Sequence, residues 1–250
     1  MSLIVKVMLC LLIVLSFNNP FIFAQQIEVV NQKMTEVQME VHEVREIKHN
    51  YRIDMNIPEF KGMEDTFFQM KLNYYLKKVA DEQKEKFLND IKELSKTNEN
   101  TKNSSPNRLT VEPVLVANGT VVSVRTTIYK RLGDEEEEKV RTLNILNEEK
   151  AKPLRLKDLF KKGVPYKSMI SSKIQEEMVH KKREGMQFFE GKKEFTTIDK
   201  KQPFYIKNEK LVIVFDAGEI APQSAGTVFF PLSIADLKDK LKKNIYQSLM

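Results

Sequence analysis

Cysteine is all but missing from this 250-residue chain: Cys10 is the one thiol, and it lies inside an apolar N-terminal stretch. Past that stretch nothing can act as a thiol nucleophile, close a disulfide or bind a metal as thiolate. Packing alone must hold the fold. Histidine is nearly as scarce, with His42, His49 and His180 the full set. Their neighbours show no ligand spacing, so neither a metal nor a cofactor is expected. There is no Gly-x-Ser-x-Gly elbow, no His-Glu-x-x-His helix and no phosphate-binding Gly-rich loop. Cysteine catalysis is excluded, no catalytic set is visible, and the expectation is a protein that is not an enzyme.

Long apolar runs are lacking too. The one candidate, Val7 to Phe17, is shorter than the about 20 residues that a membrane-crossing helix needs. Lys6 precedes it, Asn18-Asn19-Pro20 breaks it, and Phe21-Ile22-Phe23-Ala24 leads to Gln25 with the small Ala24 at the cleavage position. That is the layout of an export signal over residues 1–24. Two alternatives stay open. Ile22 is not small, as an uncleaved anchor would allow. Cys10 would serve as a lipid attachment point, although Leu9 stands before it where a small residue is wanted. The mature chain is expected to be secreted or envelope-associated, touching a membrane only if the signal is retained. With six residues ahead of the run, no cytoplasmic domain is expected. An exported domain without disulfides fits a Gram-positive bacterial envelope.

What is abundant is charge. Charged residues make up 30% of the chain, hydrophobic ones 41%, and the net charge is +6 with a pI of about 9.1. This is a globular composition. The basic excess favours anionic surfaces, but lysine and glutamate are interleaved, as in Lys84-Glu85-Lys86 and Glu148-Glu149-Lys150. Mixed signs describe a solvated face, and nucleic acid is not expected as a partner.

The patterning alternates between strand and helix. Ile27–Lys33 reads as a short strand. Val37, Met39 and Val41 alternate with polar residues, as do Tyr51, Ile53, Met55 and Ile57, where Pro58 is expected to end the run. A long helix follows near Met63–Leu94, with Phe68, Leu72, Leu76, Val79, Phe87, Ile91 and Leu94 on one face and Asp65 or Glu64 near its start. Thr97–Asn107 reads as a loop. Arg108–Ala117 and Thr120–Leu132 flank Asn118-Gly119, a hairpin signal that calls for positive φ at both turn residues. Gly133–Glu138 reads as an acidic turn before a strand over Lys139–Asn147. The helix Pro165–Lys182 ends at Gly185. Phe204–Asn208 and the apolar Leu211–Phe215 make a second hairpin, Gly226–Phe230 a last strand and Leu232–Leu249 a last helix. The expected fold class is α+β: antiparallel sheets with packed helices, in two consecutive modules over 25–147 and 148–250.

Candidate site residues follow from position. Asp216 and Glu219 come directly after the buried strand in "FDAGEIAPQSAG" and are the carboxylate pair that a glycoside hydrolase would need. The competing reading is a structural turn, with Gly218 and Gly226 supplying unusual backbone angles and Pro222 rigidity. The acidic run from Asp134, Glu135 and Glu136 through Glu138 is the most negative segment available to a basic partner.

The same C-terminal stretch resembles a known family. Phe204-Tyr205-Ile206, Leu211 to Phe215, Glu219-Ile220-Ala221-Pro222, Ala225-Gly226 and Pro231-Leu232-Ser233, with Leu154–Phe160 upstream, are similar to the RsiV-type extracytoplasmic domain. Ile57-Pro58-Glu59-Phe60 and Leu72-Asn73 resemble the module that precedes it. In that family the paired modules form the outer part of a lysozyme-sensing anti-sigma factor and also occur beside peptidoglycan deacetylases. The resemblance implies an envelope binding or sensing protein whose partner is lysozyme, another envelope protein or peptidoglycan. The alternative is a peptidoglycan-acting hydrolase or an accessory module of a wall polysaccharide deacetylase. The sequence departs from the family at Ala217-Gly218, where relatives carry a bulkier, often aromatic, residue.

Overall fold

The computed structural model describes residues 36–97 and 106–250. The export signal, the expected strand Ile27–Lys33 and most of the expected loop after Thr97 lie outside the described residues.

The chain opens with an antiparallel pair, β1 (Gln38–Ile47) and β2 (Tyr51–Lys61). Ile53, Met55 and Ile57 alternate inward and are buried, as period-two patterning requires. Pro58 does not end β2; the strand continues to Lys61. The reason lies two residues on. Phe60 donates its N–H to Asn73 Oδ1 at 2.9 Å, and its carbonyl accepts from Asn73 Nδ2 at 2.9 Å, so its backbone groups turn away from β1. Pro58 shares that parity, lies beyond the last β2–β3 pair at Met55, and loses no ladder bond.

Helix α1 (Thr66–Thr97) then crosses back, so β3 (Asn107–Ala117) joins β2 in parallel, from Tyr51 opposite Asn107 to Met55 opposite Val111. This one parallel pair departs from the all-antiparallel expectation, because a helix now separates the two strands in sequence. Asp65 starts α1: its Oδ1 accepts the Phe68 N–H at 2.8 Å. Leu72, Ala80, Phe87 and Ile91 are buried against the sheet. Val79, expected inside, sits at the margin of the stripe and is 37% exposed, while the small Ala80 lets the helix approach the strands.

The rest of the first sheet is a meander, β4 (Val121–Leu132), β5 (Glu135–Leu146) and the short β6 (Lys152–Pro153), in the order β1-β2-β3-β4-β5-β6. At the β3–β4 turn only Gly119 takes a positive φ, +141°. Asn118 instead spends its amide on Val37, accepting its N–H at 3.0 Å and donating to its carbonyl at 2.9 Å. The register also shifts between Leu115 and Ala117, so the tight two-residue hairpin does not form. The two-residue turn with two positive φ values occurs elsewhere, at Asn208 (47°) and Glu209 (57°), between β7 (Phe204–Lys207) and β8 (Lys210–Phe215).

Strands β7, β8 and β9 (Val228–Ser233) form a second, antiparallel sheet. Its edge strand β9 holds Pro231, whose position at an edge tolerates a missing donor. Leu211, Ile213, Phe215, Phe230 and Leu232 pack in the largest core cluster with Ile170, Ile174 and Met178 of α2 (Tyr166–Arg183). Gly185 ends α2 at φ +95°; its N–H reaches the Lys182 carbonyl and the Met186 N–H reaches that of Lys181, a Schellman closure. Tyr205, Val212 and Val214 pack on Val140 of β5 and join the two sheets, so β8 is buried on both faces.

A helix spanning Leu232–Leu249 does not form. Leu232 and Ser233 belong to β9, a 3-10 turn covers Ala235–Leu237, and only Lys243–Leu249 is helical, as α3. The chain leaves the helical path to bridge Leu241 to Phe160, with the Lys242 N–H on the Leu159 carbonyl at 2.9 Å.

Candidate functional site

Asp216 to Gly226 form the loop between β8 and β9, which gathers four of the seven candidate residues. Burying Phe215 fixes where the loop starts. The Glu219 N–H returns to the Asp216 carbonyl at 3.1 Å, closing a β-turn with Gly218 third and at φ +79°. A side chain at Gly218 is disfavoured by that φ; a Cβ there would also lie 2.7 Å from Gln223 Oε1, the far end of a flexible side chain that can shift. Pro222 precedes a 3-10 turn over Gln223–Ala225, and Gly226 leaves it at φ +67°. The Phe189 N–H holds the middle of the loop through the Ile220 carbonyl at 2.9 Å.

The two carboxylates are engaged rather than free. Asp216 Oδ2 lies 2.8 Å from an Arg141 guanidinium nitrogen, and its Oδ1 accepts the Val140 N–H at 3.3 Å. It therefore covers an edge of β5 that no strand pairs there. Glu219 Oε2 accepts the Asp216 N–H at 2.9 Å. Glu219 is an exposed residue, yet partial desolvation of its carboxyl against the loop pushes it above the ordinary glutamate range. The Asp216 N–H and the Gln202 side chain oppose that shift, while the charges of Asp216 and Asp199 add to it. The loop thus holds one ion-paired carboxylate and one with a raised proton affinity.

Sequence reasoning missed Arg141, Gln202 and Phe189. Arg141 is 75 positions from Asp216, and only the stacking of one sheet on the other brings them together.

The remaining three candidates lie at the opposite end of β5. Gly133 and Asp134 make the turn, and Glu135–Glu138 are not a turn but the first residues of β5. They fall opposite basic partners: Arg131 faces Glu136, and Lys130 faces Glu137. Glu136 pairs with Arg131 at 3.7 Å, and Glu137 pairs with Lys139. Glu136 also accepts the Tyr129 hydroxyl, which raises the tyrosine's proton affinity. Two of the five acidic residues are thus ion-paired, Glu136 across the strands and Glu137 along its own strand, while Lys130 pairs with Asp90 of α1. Asp134 and Glu135 remain exposed.

Further hollows border the sheets, among them two with basic side chains at the rim. One, about 550 Å³, has Leu146, Leu154 and Ile245 for walls and Lys152, Arg155 and Lys242 at its rim. The other, about 240 Å³, holds Arg45, Arg52 and Arg108 around Asp54. The Arg52 guanidinium, helped by that of Arg45, keeps the Asp54 carboxyl below its ordinary range. Among the described residues no group of three or more His, Cys, Asp or Glu could hold a metal ion. No described helix is long and apolar enough to cross a membrane.

These elements define an α+β protein of two packed sheets with one long crossover helix and a braced loop after its central buried strand. Residues 157–235, which contain that loop, match a family described as a protein of unknown function, DUF3298. The fold is similar to a DUF3298 family member from Bacteroides fragilis, with a TM-score of 0.66 at 16% identity, over 87% of this chain and 99% of that one. It is also similar to a DUF3298 protein from Pseudomonas aeruginosa, with a TM-score of 0.58 at 12% identity, over 84% of this chain and 96% of that one. At such identities the likeness is one of fold. No curated protein matches the chain.

Proposed function

We propose that this chain is an exported cell-envelope binding protein that recognises an envelope protein or a wall glycan and has no catalysis of its own. The observation that carries this reading is the bracing of the loop after β8. Asp216 is committed to Arg141 and Val140, and Glu219 to the Asp216 backbone. Side chains that hold a loop in one shape favour recognition, since a pre-ordered surface loses less entropy on binding. The export-signal layout of residues 1–24 and the similarity of the 154–233 pattern to RsiV-type outer domains point to the same setting. Lysozyme, peptidoglycan and other envelope proteins are the partners this reading names.

Retention of the purified chain on immobilised lysozyme and on insoluble peptidoglycan tests it, and binding to neither would remove it. A basic partner seated on Asp134, Glu135 and Glu136 would associate more slowly once these are changed to lysine, with the loss greatest at low salt.

One observation favours a second reading. The raised proton affinity of Glu219 is what a general acid requires. A wall hydrolase would release fragments from labelled peptidoglycan and stop doing so as Glu219→Gln. Absence of turnover by the parent chain would end that reading.

A further inference from the structure

Strand β1 is an edge of the first sheet: among the described residues it pairs with β2 alone. Which of its backbone groups face outward follows from β2. The backbone groups of Phe60 turn away from β1, Pro58 shares that parity, and the two lie opposite Met39 and Val41. By the antiparallel alternation, the N–H and C=O groups of Val41, Glu43, Arg45 and Ile47 face away from β2. Exposed edges are ordinarily blunted by proline, lysine or a bulge. Strand β1 has no proline, no lysine and an unbroken register over its ten residues. Val41 and Ile47 are 44% and 62% exposed along it.

We propose that this edge pairs with the same edge of a second copy of the chain, antiparallel about a two-fold axis at Val44. The strand is its own complement. With the axis there, Glu43 falls opposite Arg45 of the partner subunit, Val41 opposite the partner's Ile47, and Val44 opposite the partner's Val44. The two-fold makes each unlike pair occur twice. The backbone agrees with this register, because it sets the residues whose groups face outward against one another. A slip of one residue would set outward-facing groups against inward-facing ones. A slip of two would set Glu43 against the partner's Glu43 in one direction, and Arg45 against the partner's Arg45 in the other. Arg45 can serve the partner: it meets Asp54 through Nε at 3.1 Å, Asp54 is held by Arg52 as well, and the Arg45 side chain is 66% exposed. His42 and Glu46, which also face each other across the axis, already bond Glu59 and Lys84 within the chain.

The pairing depends neither on the export reading nor on the loop after β8. Sedimentation velocity of the full chain over a range of concentrations should show a reversible dimer. Glu43→Arg sets like charges together twice per dimer and should weaken it about tenfold. Adding Arg45→Glu to that variant re-forms both pairs with their signs exchanged and should restore the dimer. Cross-linking reads the register without relying on charge. With Cys10→Ser in place, Val44→Cys should form an intermolecular disulfide on mild oxidation, since the Cα atoms of such a pair lie about 4.5 Å apart. Val41→Cys, six residues out of register with its own copy, and Val114→Cys, on an exposed position of β3, should not. A full chain that stays monomeric would overturn the proposal. So would a dimer that Glu43→Arg leaves unchanged, or one that cross-links as readily through position 114 as through position 44.

Discussion

At the scale of single residues, the loop after β8 depends on a glycine and a carboxylate whose roles are geometric. Gly218→Ala puts a Cβ on a left-handed backbone, which costs roughly 1–2 kcal/mol, while Gln223 Oε1 can swing away from it at little cost. Asp216→Ala strips the cover from the Val140 N–H and unpairs Arg141; since the pair is partly open to solvent, about 1 kcal/mol is expected. Urea midpoints check both, and near-parental midpoints would mean that the loop is not braced. Glu219 carries a pH signature of its own. The folded chain binds its proton more tightly than the unfolded chain, whose ordinary value is 4.5. Its contribution to stability is therefore complete below that value and is lost as pH rises through the raised folded one. Glu219→Gln removes this loss and leaves an oxygen to accept the Asp216 N–H. At neutral pH the variant should be at least as stable as the parent, and its stability should fall less between acidic and neutral conditions. A variant weaker at neutral pH would show that the charge itself holds the turn.

At the scale of elements, Asn73 fastens α1 to β2, taking up both backbone groups of Phe60. Asn73→Ala leaves a donor and an acceptor without partners next to the fully buried Phe60, a loss of about 1–3 kcal/mol. An alanine variant of parental midpoint would mean that water replaces the amide. What the sequence revealed divides along the same line between local and distant causes. The α+β class, the stripe of α1, the α2 stop at Gly185 and the strands β3, β7 and β8 were legible, because periodicity and turn chemistry act over a few residues. Pro58 misled because a proline's cost depends on which strand edge it faces. Asn118-Gly119 misled because Val37, 81 positions away, claims the asparagine amide. The acidic run looked like a loose turn because nothing near it announces that Lys130 and Arg131 lie opposite. The last helix is shorter than its sequence pattern predicts because the bridge to Phe160 is a tertiary contact. The four loop residues of the site were legible from one segment; their bracing partner Arg141 was not.

At the scale of the whole molecule, the two sheets meet through a short buried relay. Ser123 of β4 donates to Asn144 Oδ1 at 2.6 Å, Asn144 Nδ2 donates to the Phe204 carbonyl at 2.6 Å, and the Ile206 N–H reaches Ser123 Oγ at 3.3 Å. Ser123 is fully buried and Asn144 nearly so. Beside this relay Val140 packs on Tyr205, Val212 and Val214, an apolar seam with no direction of its own. Such a seam tolerates sliding, whereas the relay admits one alignment, because a misplaced sheet leaves buried polar groups unpaired. The relay therefore sets the alignment that brings Arg141 to Asp216 and gives the loop its shape. Asn144→Ala leaves the Phe204 carbonyl and the Ser123 hydroxyl short of partners, a loss of roughly 2–4 kcal/mol. If the sheets depend on each other, tyrosine fluorescence and far-UV circular dichroism report one coincident urea transition in the parent, and the variant moves it to lower urea without changing its slope. Two separated transitions in the parent would instead mean that the segments before and after residue 147 fold independently. The loop after β8 would then be shaped by its own module, and Asn144→Ala should leave partner binding as it was.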